Sequence, residues 1–144
     1  MKNVELVKFE KEDAIFIQTN FPTWFFDNSI QNIESKIESW KDSLCFCIEY
    51  DNKKVGIITL GQREEKSLVW GVAVKEDYRG KGIAQKAFSL IKEKAKQKGF
   101  DRIISSCSSD NAASKRLHEQ VGFTLVKTEV NQAGNKMHRW EMLI

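Results

Sequence analysis

An apolar segment that runs through two glycines into a long amphipathic helix is the feature that most constrains this chain. The segment Ser67–Val74 is predicted as a strand, and the residues from about Gly82 to Lys98 carry apolar side chains at helical spacing. The turn between them is Arg79-Gly80-Lys81-Gly82-Ile83-Ala84. Glycines let the backbone approach a ligand closely, and the free N–H groups at a helix start favour an anion. Two basic side chains add positive charge, so the turn is predicted to hold phosphate.

This turn differs from two phosphate motifs of the nucleotide-binding folds. It lacks the Gly-Lys-Ser/Thr of a P-loop, and the third glycine of the dinucleotide pattern G-x-G-x-x-G would fall at Gln85. Asp101 lies near the distance expected of a ribose-binding acid, but the glycine spacing is wrong. A nucleotide-binding protein is therefore the least favoured interpretation.

Two further stretches point to a more specific interpretation. Val72-Ala73-Val74 leads into Tyr78-Arg79-Gly80, and downstream come Asn111-Ala112-Ala113-Ser114 and Leu117-His118-Glu119-Gln120-Val121-Gly122-Phe123. From about Leu68 to Phe123 the chain resembles the GNAT N-acetyltransferase superfamily, with its Gln/Arg-x-x-Gly-x-Gly/Ala loop and its N-x-x-(A/S)-x-x-L-(Y/H)-E-x-x-G-F segment. The resemblance implies transfer of an acetyl group from acetyl-CoA directly to a primary amine of an unidentified small molecule, peptide or protein.

The resemblance also assigns residues to a site. The phosphates of coenzyme A are expected at the loop, and the pantetheine arm along the preceding strand and against the start of the downstream helix. The expected cofactor-binding residues are Val72, Ala73, Val74, Arg79, Gly80, Lys81, Gly82, Ile83, Ala84, Asn111 and Ser114. His118 takes the place of the family's usual tyrosine and is expected to protonate the departing thiolate. The alternatives are helix capping for Asn111 and Ser114 and plain packing against Phe123 for His118.

The predicted elements alternate in the order β-α-α-β-β-β-α-β-α-β-β, which indicates an α/β fold with a mixed sheet. The early strands are expected to be antiparallel, with Leu44–Tyr50 and Lys54–Leu60 as a hairpin. The strands on either side of the long helix are expected to be parallel, because parallel pairing needs a crossover of that length. Gly71, inside a strand, predicts either a bulge or a close backbone approach. The resemblance implies that the two central strands splay apart.

Composition fits one enzyme-sized domain over residues 1–144. The chain has 41% hydrophobic and 30% charged residues, one proline and a net charge of +3, which disfavours disorder and a nucleic-acid partner. No apolar run approaches the about 20 residues of a membrane span, and no signal peptide is recognised, so a cytoplasmic protein without a membrane partner is expected. The expected partners are acetyl-CoA and an amine acceptor, with a homodimer left open.

The three cysteines and two histidines show no metal-ligand spacing, and no metal is expected. Cys45 and Cys47 alternate in an apolar strand and are predicted to pack as small hydrophobic residues. Cys107 is predicted to be a structural thiol rather than a nucleophile.

No general base is assigned. Many members of the superfamily carry a glutamate at the positions that correspond here to Trp70 and Ser106, and neither side chain is a useful proton acceptor. Acceptor specificity is expected to reside in Phe21–Ser29, which contains the aromatic run Trp24-Phe25-Phe26, and in the loop Asn131–Lys136. Because a base is missing, a non-catalytic acyl-CoA sensor or regulatory module stays the alternative function.

Overall fold

The computed structural model of the protein describes residues 3–144, which form a seven-stranded mixed sheet with helices on both faces. The elements are β1 (Val4–Val7), α1 (Ala14–Asn20), α2 (Ile30–Ser39), β2 (Leu44–Tyr50), β3 (Lys53–Gln62), β4 (Ser67–Val74), α3 (Ile83–Gln97), β5 (Arg102–Ser108), α4 (Ala112–Val121), β6 (Thr124–Val130) and β7 (Lys136–Leu143). Short 3-10 turns occupy Lys11–Asp13 and Glu76–Tyr78. The predicted order of helices and strands is confirmed.

The strands lie side by side in the order β1-β2-β3-β4-β5-β7-β6. Neighbours are antiparallel, except that β4 and β5 are parallel. Helix α3 makes the crossover between these two strands, which is what parallel pairing requires. The predicted change from antiparallel to parallel pairing therefore falls at the helix that follows the glycine turn.

Alternation of side chains along the strands divides the core into two layers, one on each face of the sheet. On one face, Ile58 and Ile103 pack with the buried Phe88 of α3. On the other face, Ile57 packs with Ile33 and the rest of the α1–α2 layer. No helix within residues 3–144 is long and apolar enough to span a membrane.

Strands β4 and β5 pair along part of their length and then separate. Ser67 of β4 pairs with Arg102 of β5, and the pairing ends two residues later, where Val69 lies opposite Ile104. Strand β4 nevertheless continues to pair with β3 as far as Val74. From Trp70 onward, the edge of β4 that faces β5 thus has no strand partner among the described residues. Backbone N–H and C=O groups in such a place need hydrogen-bonding partners, which a ligand can supply.

Gly71 lies in β4 without a bulge. Pairing of β4 with β3 runs without interruption from the pair of Leu68 with Gln62 to the pair of Val74 with Gly56. The predicted bulge is therefore wrong. The alternative, a close approach, is correct in that a Cβ on Gly71 would lie 3.1 Å from the ring of Trp24. The approaching group is thus an indole side chain.

The ends of the other elements follow from local chemistry. The Oγ of Ser29 accepts a hydrogen bond from the backbone N–H of Asn32 at 3.3 Å and so caps α2. Gly99, with φ of +90°, ends α3. Strand β1 ends at Val7, and Phe9 beyond it is buried in the layer formed with α1 and α2.

Candidate functional site

The separation of β4 from β5 opens a cleft of about 550 Å³. The length of β4 from Trp70 to Val74 contributes to its lining, together with Ser105 and Ser106 of β5 and residues of α4. A second cavity of about 310 Å³ surrounds the turn before α3 and shares Val74 and Arg79 with the first. The two cavities form one groove that leads from the turn before α3 to the point where the strands separate.

The turn before α3 has the geometry of an anion site. Gly80 and Gly82 have φ angles of +76° and +77°, a region that favours glycine, and a Cβ on either would meet nothing within 4 Å. No side chain caps α3 at Gly82, so the first N–H groups of the helix are available to a ligand. Arg79 donates from Nε to the carbonyl oxygen of Val74 at 3.0 Å, which holds its guanidinium between the two cavities. Backbone conformation therefore requires the glycines, and the space beside them is open.

The structure brings the predicted cofactor residues together along this groove, with one exception. Lys81 lines neither cavity, and its side chain is exposed. The side chains of Ile83 and Ala73 pack into the two core layers, so these residues can meet a ligand chiefly through their backbone. Asn111 and Ser114 line the cleft from the start of α4.

Asn111 also serves as the cap of α4. Its Oδ1 accepts from the backbone N–H of Ser114 at 3.0 Å. The capping alternative is therefore present for this residue, while the amide NH₂ of the same side chain is still free to donate. The Oγ of Ser114 lies 3.4 Å from the Nδ1 of His118, which links the start of α4 to the deepest part of the cleft.

His118 is buried, with 2% of its surface exposed, yet it contributes to the lining of the cleft. Its ring stacks on Trp140 at 5.0 Å between centroids, with an interplanar angle of 16°. Phe123 and Trp70 pack against it in edge-to-face geometry, with ring centroids 5.1 and 5.5 Å away. The predicted contact with Phe123 exists as part of an aromatic enclosure that fixes the orientation of the imidazole.

Both ring nitrogens of His118 have hydrogen-bonding partners. Nδ1 lies 2.7 Å from the carbonyl oxygen of Ser114, and Nε2 lies 2.7 Å from the Oγ of Ser105. A carbonyl oxygen can only accept, so Nδ1 carries the proton of the neutral ring and Nε2 is the acceptor. The hydroxyl of Ser105 therefore donates to Nε2. Trp70 in turn donates from Nε1 to the Oγ of Ser105 at 2.8 Å.

Burial lowers the pKa of His118 below its ordinary value, and the hydrogen bond to the Ser114 carbonyl opposes that shift in part. The imidazole is therefore neutral near pH 7. A neutral ring with its proton on Nδ1 presents a proton acceptor toward Ser105 and the cleft.

The remaining candidate groups are less suited to proton transfer. Among the described residues, no aspartate or glutamate lines either cavity of the groove. Cys107 is buried and accepts from the Nε1 of Trp140 at 3.3 Å, as expected of a structural thiol. Within residues 3–144, no group of three or more His, Cys, Asp or Glu side chains is placed to hold a metal ion.

The three consecutive aromatic residues before α2 point in different directions. Trp24 packs over Gly71 of β4, next to the cleft. Phe25 stacks on Trp40 at 5.6 Å between centroids and belongs to the α1–α2 layer. Phe26 is fully exposed. Of the predicted acceptor surface, Trp24 thus packs against β4, a strand of the cleft.

Sequence reasoning passed over Ser105 and gave Trp70 no function. Ser105 stands between Ile103 and Cys107 on the inward-facing side of β5, where every second residue is buried. A polar residue at such a position on an otherwise buried strand face was the signal that could have identified it. The Trp70 indole that donates to it is 35 residues away in sequence.

The sequence is similar to curated acyltransferases. An L-methionine sulfoximine/L-methionine sulfone acetyltransferase from Pseudomonas paraeruginosa is 35% identical over 69 residues, or 48% of this chain and 40% of that protein. The L-amino acid N-acyltransferase MnaT of Escherichia coli matches with the same identity and coverage. The chain thus spans less than half the length of these relatives. The SPbeta prophage-derived uncharacterized N-acetyltransferase YokL of Bacillus subtilis is 28% identical over 85% of this chain and 76% of that protein.

The fold is that of solved acetyltransferase structures. The putative acetyltransferase yncA from Salmonella typhimurium, solved with its cofactor acetyl-CoA, superimposes with a TM-score of 0.82 at 20% identity, over 98% of this chain and 94% of that one. A sequence model of the acetyltransferase (GNAT) family matches residues 13–123. That match spans more than half of the chain and confirms the resemblance given by the glycine loop and the Asn111–Phe123 segment. The protein belongs to the GNAT acetyltransferase family.

Proposed function

We propose that this protein, acting as one catalytic domain over residues 1–144, transfers an acetyl group from acetyl-CoA to a primary amine. The observation that carries the proposal is a single groove with an anion site at one end and unpaired strand edge along its wall. A long ligand with phosphate at one end and hydrogen-bonding amides along its length fits this description. The family assignment and the similarity to curated N-acyltransferases support the same activity.

The residues of the groove fit coenzyme A part by part. The N–H groups at the start of α3, with Gly80 and Gly82 in their positive-φ conformations, are proposed to hold the phosphates, and Arg79 to add charge. The amides of the pantetheine arm are proposed to bond to the free edge at Val72, Ala73 and Val74. Ser114 and the free amide of Asn111 face the same cleft from the opposite side.

The chemistry asks the chain to orient two reactants and move one proton. Acetyl-CoA supplies an acyl group that is already activated as a thioester. Backbone N–H groups on the free edge of β4 are suited to polarise the thioester carbonyl, because they are fixed in place before the reaction. His118 is proposed to provide the proton for the departing sulfur, in the role expected from the family resemblance.

The acceptor is proposed to be a small amine, with amino acids as the first class to test. Two relatives are named for L-methionine sulfone or for L-amino acids, although each match covers 40% of the relative. Trp24, packed over Gly71 at the edge of the cleft, offers an indole surface for an aliphatic or aromatic acceptor body. A cytoplasmic location and a homodimer stay predictions.

Two measurements test the proposed function. Isothermal titration with acetyl-CoA, free CoA, ATP and NAD should show binding of the two coenzyme A species and none of the nucleotides at the same concentrations. A thiol-release assay with a panel of amines, beginning with L-methionine sulfone, should then show turnover. Absence of acetyl-CoA binding would refute the proposal. Tight binding without thiol release from any amine would favour the non-catalytic sensor, an alternative kept because no carboxylate of residues 3–144 lines the groove.

A further inference from the structure

A closed set of hydrogen bonds connects three side chains at the inner end of the cleft. Trp70 donates to Ser105 at 2.8 Å, Ser105 donates to His118 at 2.7 Å, and His118 donates to the Ser114 carbonyl at 2.7 Å. The indole nitrogen also lies 3.3 Å from Nε2 of the imidazole, so the three polar groups are in mutual contact. Each hydrogen bond has a fixed direction, because an indole can only donate and a carbonyl can only accept.

This direction leaves one acceptor position open on Ser105. A hydroxyl oxygen has one proton and two lone pairs. The proton is donated to His118, and one lone pair accepts from Trp70. The second lone pair has no partner among the residues that the structure describes, and Ser105 contributes to the lining of the cleft. A ligand N–H placed there can donate to the hydroxyl while the hydroxyl donates to the imidazole.

The position of Ser105 matches the reacting end of the groove. Pairing of β4 with β5 stops at Ile104, so Ser105 is the first residue of β5 beyond the point of separation. The anion site lies at the other end of β4, beside Val74. The four residue steps from Trp70 to Val74 span about 13 Å at the usual rise of a strand. A ligand anchored by phosphate near Val74 and extended along β4 therefore brings its far end toward Ser105.

Resting on the proposed function, we propose that Ser105 and His118 carry the proton of acetyl transfer from the amine to the sulfur. As the amine nitrogen forms its bond to the acetyl carbon, its proton passes to the Oγ of Ser105. The hydroxyl proton of Ser105 passes at the same time to Nε2 of His118. When the carbon–sulfur bond breaks, the same two transfers run in reverse and the proton reaches the thiolate. One proton leaves nitrogen and one arrives at sulfur, so His118 and Ser105 end as they began.

The surroundings of His118 suit it to hold this proton only briefly. The side chains that contact the ring come from four elements and the turn after α4, and none carries a charge: Trp70, Ser105, Ser114, Phe123 and Trp140. Two titratable groups, Cys107 and His138, contact Trp140. Burial lowers the pKa of His118, and the Ser114 carbonyl opposes this shift only in part, which favours prompt return of the proton.

The first test reads the hydrogen bonds directly and needs no acceptor. Long-range ¹H–¹⁵N spectra of the ligand-free protein report which imidazole nitrogen carries the proton. The chain has two histidines, so a His138→Gln variant identifies the His118 signals. We expect the neutral ring to carry its proton on Nδ1 and to titrate below the ordinary pKa of histidine. A proton on Nε2 would overturn the inference, because Ser105 would then have to accept from His118.

The second test measures turnover with acetyl-CoA and L-methionine sulfone. Ser105→Ala should lower kcat by ~10²-fold or more, the usual scale of general acid–base catalysis, with acetyl-CoA affinity within about twofold of wild type. Ser105→Thr, which keeps the hydroxyl, should recover most of the loss. Ser108→Ala, on the same strand but outside the cleft, is the matched control and should retain wild-type turnover.

A double variant separates joint action from two structural effects. If the two residues pass one proton, Ser105→Ala combined with His118→Phe should lose no more kcat than the worse single variant. If the kcat loss of the double variant equals the product of the two single losses, the inference is overturned. Unchanged kcat in a folded Ser105→Ala protein would also overturn it. A stoichiometric acetyl adduct on Ser105 that the amine consumes would replace proton transfer by covalent catalysis. Where L-methionine sulfone is not an acceptor, the same kcat comparisons use the amine that shows turnover in the thiol-release panel, and acetyl-CoA titration tests the proposed function separately.

Discussion

Replacing Gly82 with valine is the perturbation that most directly tests the anion site. Gly82 has φ of +77°, where an L-residue with a Cβ is strained, and valine is among the residues that tolerate this region least. The expected cost to the folded state is about 1–3 kcal/mol, the usual range for a residue held in a sparsely populated conformation. For a chain of this size each kcal/mol lowers Tm by roughly 2–4 °C, so the variant should remain folded at 25 °C.

The effect on acetyl-CoA binding should be larger than the effect on folding. The strain is relieved if the turn rotates, and rotation moves the N–H groups at the start of α3 away from the phosphates. A hydrogen bond to a charged group contributes about 1.5–3 kcal/mol. Loss of a single such bond therefore weakens the affinity by roughly 10- to 100-fold. If two bonds are lost, the two factors multiply. Isothermal titration with acetyl-CoA, well below the Tm of the variant, measures this loss.

Gly134→Val provides a matched control. Gly134 has φ of +83° in the turn between β6 and β7, and a Cβ there would also meet nothing within 4 Å. The same backbone strain is thus introduced at a position outside both cavities. This variant should lose a similar amount of stability and keep its affinity for acetyl-CoA. Unchanged affinity in a folded Gly82→Val protein, or equal losses of affinity in both variants, would refute the assignment of the turn.

Three other predictions concern groups away from the anion site. Burial raises the pKa of Cys45 to about 11 and that of Cys47 to about 12, so at pH 8 iodoacetamide should label these thiols far more slowly in the native protein than in urea; equal rates would contradict their burial. Asp13 is buried, is ion-paired with Lys54 and accepts from the backbone N–H of Glu10. Asp13→Ala should lower the free energy of unfolding by about 1–3 kcal/mol in urea denaturation, whereas the exposed Asp101→Ala control should leave it nearly unchanged. Mass spectrometry of the protein mixed with acetyl-CoA alone should show no acetyl group on Cys107, and an adduct absent from Cys107→Ser would indicate transfer through the thiol.

The elements and the anion turn could be predicted from the sequence because both depend on local information. A glycine pair between an apolar strand and an amphipathic helix determines the positive φ angles and the uncapped helix start without reference to distant residues. The same holds for Gly99 as the end of α3. The parallel pairing followed because a crossover helix of 15 residues separates the two strands.

The family segment identified His118, but the hydrogen bonds around it could not be predicted in the same way. The Ser105–His118 hydrogen bond joins residues 13 positions apart, and the contact of Trp70 with His118 joins residues 48 apart. Which nitrogen of His118 carries the proton depends on the carbonyl of Ser114 and the hydroxyl of Ser105 together. Side-chain directions in the run Trp24–Phe26 were equally undetermined, because a loop has no fixed period to assign its faces.

The short stretch of pairing between β4 and β5 divides the sheet into two parts that few backbone hydrogen bonds connect. Four strands lie on one side of this junction and three on the other, and three residue pairs join them. A ligand that bonds to the free edge of β4 and to the start of α4 would complete the missing part of the ladder. Binding would then stabilise the connection between the two parts of the sheet. At a ligand concentration 100 times Kd, linkage adds about 2.7 kcal/mol to the free energy of unfolding. Amide hydrogens along this junction would exchange faster in the ligand-free protein than in the complex. The concentration of the ligand in the cell would therefore set how rigid the sheet is.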